Sequence, residues 1–169
     1  DVAGDKEYRR VCREYELKSK NSVELLQAYL DKYPDSRYTD RVRSLIASVY
    51  FEEGKYKEAI AMFRACDLEA LPDAERDDCA MRLATSYLKE GNLRDASVWF
   101  LLLKEVSPRY QSDATYNLAY IDYVEKRYNK ALDAFLSLKD DAVYSSLVPY
   151  YIGEIYLLQG NYEQARSVA

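Results

Sequence analysis

The residues of this chain that could do chemistry are carboxylates and three thiols, because there is no His anywhere. Without imidazole there is no Ser-His or Cys-His nucleophile pair, no His metal ligand and no common general base. Two acidic clusters, Asp73-Ala74-Glu75-Arg76-Asp77-Asp78 and Lys139-Asp140-Asp141, suggest cation binding at first sight. They lack the oxygen-ligand spacing of a calcium loop. They read as solvated loops and helix starts, where acids favour the positive end of the helix dipole. Cys12, Cys66 and Cys79 are odd in number and have no C-x-x-C spacing. That argues against a disulfide framework or a thiolate site, and for packing as small apolar residues. The five Gly form no phosphate-cradling motif. No catalytic, cofactor-binding or metal-binding residue is assigned, and no enzymatic activity is expected.

What stands out instead is 18 Tyr in 169 residues. Tyr buries a ring and keeps a hydroxyl near water, which suits a thin protein with much surface. Tyr116, Tyr120 and Tyr123 are spaced i, i+4, i+7 and so share one helix face. Aromatics are enriched at binding surfaces. The same spacing also serves packing against a neighbouring element, and both readings stand at this point.

Charge is mixed, 24 Lys plus Arg against 29 Asp plus Glu, net -5, with no basic stretch. Nucleic acid is therefore not expected as a partner. No apolar run approaches the ~20 residues of a membrane-spanning helix. The longest, Val98-Trp99-Phe100-Leu101-Leu102-Leu103, is predicted as a helix buried between neighbours. The chain opens on Asp1, not Met, without a signal peptide, and stops inside a helical pattern after Tyr162. It is expected to be a piece of a longer protein.

The elements that must position the Tyr face emerge from self-comparison. Ala47, Ala84, Ala119 and Gly153 are spaced by 37, 35 and 34 residues. Twelve residues after each stands Ala59, Ala96, Ala131 or Ala165, and four after the first three of these stands Phe63, Phe100 or Phe135. Small residues at fixed spacing let paired helices cross closely, and the aromatic fills the gap beside them. Gly54, Gly91 and Gly160 fall where the first helix of a pair ends, a place for the left-handed conformation. Lys126 takes that place in the third pair, which predicts a tighter or strained turn.

Helices are predicted near 5–18, 21–33, 36–53, 55–67, 73–90, 92–105, 109–126, 128–138, 141–159 and 161–169. Asn21-Ser22-Val23-Glu24 is predicted as a capping box at the start of the second. Pro34, Pro72 and Pro108 fall between pairs, and Pro149 is placed within or near the start of a helix. The chain is read as a single helical-repeat domain, 1–169, with a weak repeat at 5–36 and clearer ones at 37–73, 74–111, 112–145 and 146–169, the last truncated.

These residues resemble the tetratricopeptide repeat, whose pattern runs L-G-x-x-Y, then A-x-x-x-F, then P. The pattern appears as Ile46-Ala47 with Tyr50, Ala59 and Phe63, and again as Leu83-Ala84 with Tyr87, Ala96, Phe100 and Pro108. It recurs as Leu118-Ala119 with Ala131 and Phe135, and as Ile152-Gly153 with Tyr156 and Ala165. Asp122 stands where the third repeat should carry Tyr. The resemblance covers 37–169 well and 5–36 loosely. It implies an all-α, right-handed superhelical solenoid of about five antiparallel helix pairs.

In this family the first helices line the concave face. The inner positions, counted from the small residue of each pair, would be Ser44, Ser48 and Phe51, then Met81, Thr85 and Leu88, then Tyr116, Tyr120 and Tyr123, then Tyr150, Glu154 and Leu157. The expected partner-binding residues are Tyr116, Asn117, Tyr120, Tyr123, Tyr150, Glu154 and Leu157. Asn117 is expected to bond a peptide backbone, and Asp113 and Glu154 to select against acidic partners. Some relatives clamp a peptide carboxylate with Lys and Asn. Ser44 and Ser48 stand at those positions here, so that role is not carried over.

The link Tyr33-Pro34-Asp35-Ser36-Arg37-Tyr38, together with Ala134–Asp141 and Val148–Ile152, is similar to periplasmic bacterial members of the family. That resemblance implies a cell-envelope location, with the cytoplasm as the alternative. The resulting expectation is an interaction scaffold holding a protein or peptide partner in its groove. The alternative is a purely structural segment of a longer repeat array, or a self-association module.

Overall fold

The computed structural model describes residues 2–168, and among these every regular element is helical. The chain forms two compact units, residues 1–92 and 93–169. The first unit holds α1 (Val2–Glu16), α2 (Ser22–Lys32), α3 (Thr39–Glu52), α4 (Tyr56–Arg64) and α5 (Asp73–Lys89), with a 3-10 turn at Leu68–Ala70. The second holds α6 (Leu93–Val106), α7 (Gln111–Val124), α8 (Tyr128–Ser137), α9 (Val148–Leu158) and α10 (Tyr162–Val168). The predicted ends at Asp1 and Ala169 lie outside the described residues.

In the first unit the link Tyr33–Tyr38 ends α2 and starts α3. The Ser36 hydroxyl lies 2.6 Å from the Tyr29 hydroxyl, and the Tyr38 N–H donates to it at 3.0 Å. Thr39 Oγ1 donates to the Ser36 carbonyl at 2.7 Å. One small polar residue therefore ties the Tyr29 side chain of α2 to the start of α3. Pro72 directly precedes α5, where a missing N–H costs nothing.

The small residues of the first three repeats are buried, as their types and spacing imply. Ala47, Ala59, Ala84, Ala96, Ala119 and Ala131 are fully buried, as are Phe63, Phe100 and Phe135. In the fourth pair the expectation fails. Gly153 and Ala165 are only partly buried, and a Cβ added at Gly153 would meet nothing within 4 Å. No close helix crossing demands the small residue there.

Gly54, Gly91 and Gly160 adopt positive φ, and Lys126 joins them at φ 65°. The third turn closes like the first. Lys126 N–H bonds the Tyr123 carbonyl at 3.0 Å, and Arg127 N–H bonds the Asp122 carbonyl at 2.7 Å. The chain keeps the turn geometry and accepts a side chain that disfavours it by roughly 1–2 kcal/mol. Lys126→Gly is therefore expected to stabilise the protein by about 1 kcal/mol, since the added freedom of the unfolded Gly offsets part of the relief. A denaturant midpoint that does not rise would count against strain at this turn.

Several expectations are corrected. The helix placed at 141–159 begins only at Val148, because Pro149 sits in its first turn. Residues 142–147 form irregular turns, held where Asp141 Oδ2 accepts the Val143 and Tyr144 N–H groups at 2.9 and 3.0 Å. The helix placed at 55–67 stops at Arg64. The capping box does not form: Asn21 makes no side-chain cap bond, and Ser22 is buried. The run Val98–Leu103 is not buried as a whole. Phe100 and Leu103 are, but Val98 is 60% and Leu101 50% exposed, since a helix packed on one side hides one stripe.

Candidate protein-interaction site

The Tyr face lies on α7 and α9 of the second unit. Its centre is Tyr151, a residue absent from the expected set. The Tyr151 ring stacks on Phe135 at 4.8 Å and 6°, and meets Tyr116, Tyr120 and Tyr123 edge-on at 6.2, 6.2 and 5.3 Å. Tyr150 meets it edge-on at 5.3 Å from the outer side. Edge-to-face and offset pairs of this kind are the favoured aromatic geometries.

This arrangement sorts the expected residues. Tyr116 belongs to the core: it stacks on Tyr144 at 4.4 Å and touches Phe135 edge-on at 6.0 Å. Tyr123 is packed against the same core and lies edge-on to Tyr128 at 6.1 Å. Tyr120 is half-buried, and Glu154 stands near Tyr123. Tyr150 is 65% and Leu157 47% exposed. Both line a shallow recess of about 320 Å³ that Gly153, Glu154, Ala165 and Val168 complete. Asn117 bonds its own helix, donating from Nδ2 to the Asp113 carbonyl at 2.8 Å. The Asp113 carboxylate accepts a bond from the Tyr144 hydroxyl.

The inner positions of the first unit differ from expectation. Ser44 and Ser48 are buried, not exposed, since their hydroxyls donate to the Arg41 and Ser44 carbonyls at 2.6 and 2.8 Å. Short hydroxyls that bond back to their own helix project little, and α5 packs over α3. Arg82 Nη1 reaches Ser48 Oγ at 3.2 Å. The outward face of this unit therefore has no aromatic ladder on α3.

Burial sets the electrostatics of the Tyr cluster. Burial pushes Tyr151 up to about 12, and the contact with Tyr116 adds to it. Burial likewise pushes Tyr8 up to about 12, against the opposing pull of Arg41. Tyr123 is raised by burial first and by the negative field of Glu154 second. These phenols hold their protons more tightly folded than unfolded. The stability they contribute is complete below the ordinary value of 10 and is lost as pH rises from there to about 12. Tyrosinate absorbance followed with helical circular dichroism should show the two changing together above pH ~10. Ionisation of every phenol by pH ~11 with the helices intact would contradict the packed cluster.

Asp122 occupies the position where the other pairs carry Tyr. It is buried and paired to Arg127 Nε at 2.8 Å, so an ion pair across the third turn replaces an aromatic contact. The three thiols are free, and burial pushes Cys66 and Cys79 up to about 12 and about 11. Thiols held protonated are poor nucleophiles and poor ligands.

Successive helices joined by left-handed turns, with small and aromatic residues repeating at fixed offsets, define a helical-repeat protein. Residues 41–68 match the family model of the tetratricopeptide repeat, and the chain has the fold of tetratricopeptide-repeat proteins. It is similar to the crystal structure of YrrB, a TPR protein with an unusual peptide-binding site. That likeness has a TM-score of 0.76 and 19% identity over 94% of this chain and 78% of YrrB. It is similar to MamA, with a TM-score of 0.69 and 16% identity over 99% of this chain and 90% of that one. A Podosopora anserina protein with nearly identical TPR-like repeats gives a TM-score of 0.61 and 13% identity over 97% and 90%. No curated protein matches by sequence.

Proposed function

We propose that this chain is a protein–protein interaction scaffold, not an enzyme, whose α7 and α9 face in the second unit holds a peptide or a helix. The observation that carries the reading is Tyr150, exposed yet braced by Tyr151, which Phe135 locks in place. A large, rigid aromatic with few rotors loses little entropy on binding. Tyr120 and Leu157 flank it, and Glu154 gives the face a negative charge that favours neutral or basic segments. The peptide-binding site of YrrB, a protein of like fold, supports a peptide as the occupant. Tyr116, Tyr123 and Asn117 contribute mainly by holding this face in shape. A cell-envelope location remains part of the proposal on the strength of the resemblance carried by the Tyr33–Tyr38 link and the 134–141 and 148–152 runs.

The test is a peptide selected on the whole chain from a displayed library. Tyr150→Ala is expected to weaken its binding about tenfold or more while the helical spectrum stays unchanged. Equal binding by the variant would remove this face from the function.

A second reading has its own observation. Tyr150, Gly153, Glu154, Leu157, Ala165 and Val168 sit 34 residues after Tyr116, Ala119, Tyr120, Tyr123, Ala131 and Ala134. The earlier set is covered by α9, and the later set lines the open recess. A helix chemically like α9 would fill it, and such a helix supplied by another copy would make the chain self-associate. Sedimentation velocity over a wide concentration range decides: a monomer throughout removes this reading.

A further inference from the structure

A second recess lies between α6 and α8 of the same unit. Helices α6 and α8 each pack on α7 and stay apart from one another, leaving a groove of about 1000 Å³ with α7 as its floor. Val98 and Leu101 of α6, Leu118 of α7 and Ala134 of α8 give it an apolar lining. Val98 and Leu101 are at least half exposed, so this lining faces water in the free chain. On the floor the Thr115 hydroxyl already donates its proton to the Gln111 carbonyl at 2.7 Å.

The charges are unequal at the two ends. Near the start of α8, Arg127 is occupied by Asp122 at 2.8 Å, and Lys130 has no ion-pair partner among the described residues. At the far end stand Asp140 and Asp141, with Lys104 on the α6 wall, while Asp133 sits midway along α8. Asp141 is fixed as an anion: Ser112 Oγ donates to it at 2.7 Å, and this bond with two backbone N–H groups lowers its pKa.

We propose that this groove binds an amphipathic α-helix of about three turns, seated with its N-terminus at Asp140 and Asp141 and its C-terminus at Lys130. Three features select that occupant. The groove walls are helices whose main-chain groups are already paired, and a docked helix satisfies its own main chain where an extended strand would not. Gln111 and Asp122 are separated by roughly 16 Å of helix, the length of three turns. The acidic end matches the positive end of a helix dipole and Lys130 matches the negative end. The guest runs parallel to α7 and antiparallel to α6 and α8. This face is distinct from the Tyr150 face, so either site can fail without the other.

The probe is a synthetic, side-chain-stapled helix of about twelve residues with blocked ends and Leu at i, i+3, i+4 and i+7. Its control has the same composition with the Leu residues spread around the helix. Fluorescence anisotropy with the whole chain is expected to show the striped peptide binding roughly tenfold tighter than the control. Leu101→Asp, at an exposed position that leaves the fold intact, should abolish that difference. A nitroxide on the peptide N-terminus should broaden amide resonances around Ser137 and Asp140, and the double variant Lys130→Glu, Asp140→Lys should move the broadening toward Lys130. No binding, equal binding of both peptides, or broadening centred on Lys130 in the wild type would overturn the proposal. So would binding that survives Leu101→Asp but not Tyr150→Ala, which would place the peptide on the first-helix face.

Discussion

Phe135→Ala is expected to cost about 3–5 kcal/mol, the range for removing a large aromatic from a packed core. Phe135 is fully buried, and its ring carries the stack on Tyr151 and an edge contact with Tyr116. Removal does not leave a simple hole. Tyr151 loses the surface that fixes its plane, and with it the brace behind Tyr120, Tyr123 and Tyr150. Small domains are stable by only about 5–15 kcal/mol, so the variant unit should be largely unfolded at modest denaturant. Chemical denaturation followed by circular dichroism checks it. A loss below about 1 kcal/mol would mean that the aromatic cluster is not the core of the second unit.

The second large effect is a contrast between two equivalent positions. Ala119→Leu places three extra carbons at a fully buried site in the core that also holds Ala131 and Phe135. Overpacking of this kind costs about 1–3 kcal/mol, occasionally more. Gly153 holds the same repeat position 34 residues later, where an added Cβ meets open space. Gly153→Ala is therefore expected to stabilise α9 by about 1 kcal/mol through helix propensity alone. Thermal melts of the two variants should move in opposite directions. If both fell alike, position in the repeat would decide the outcome and local packing would not.

Much of this fold was legible because its determinants are periodic. The Ala and Gly positions, the Phe four residues after each second Ala, and the left-handed Gly turns each recur at the repeat length. Even the exception, Lys126 at φ 65°, was visible as a substitution within a pattern. Tyr151 was not, because its partners Tyr116, Tyr123 and Phe135 belong to the preceding repeat, and its neighbour Tyr150 fits the inner-face count better. Periodicity gave each Tyr an orientation and not a depth, so Tyr116 and Tyr123 were placed on a face that the following helix covers. The turns at 142–147 depend on one carboxylate, Asp141, bonding two N–H groups, which no period records. Ser44 and Ser48 are buried for a related reason. Their hydroxyls bond back to α3, so a polar side chain at an inner position says little about contact with water.

The seating of Tyr151 bears on how such a chain can be lengthened, shortened or recombined. The sequence repeats with one phase and the packing with another, because the ring that closes the third pair is carried by the fourth. A cut at the sequence boundary before α9 would leave Phe135, Tyr116 and Tyr123 without their lid. Cassettes exchanged between such proteins should therefore be joined inside the turn after α9, so that each transplanted pair travels with the first helix of its successor. Chimeras joined at the sequence boundary would need a foreign helix that happens to present an aromatic at the Tyr151 position. That requirement gives a simple rule for which recombinants stay soluble.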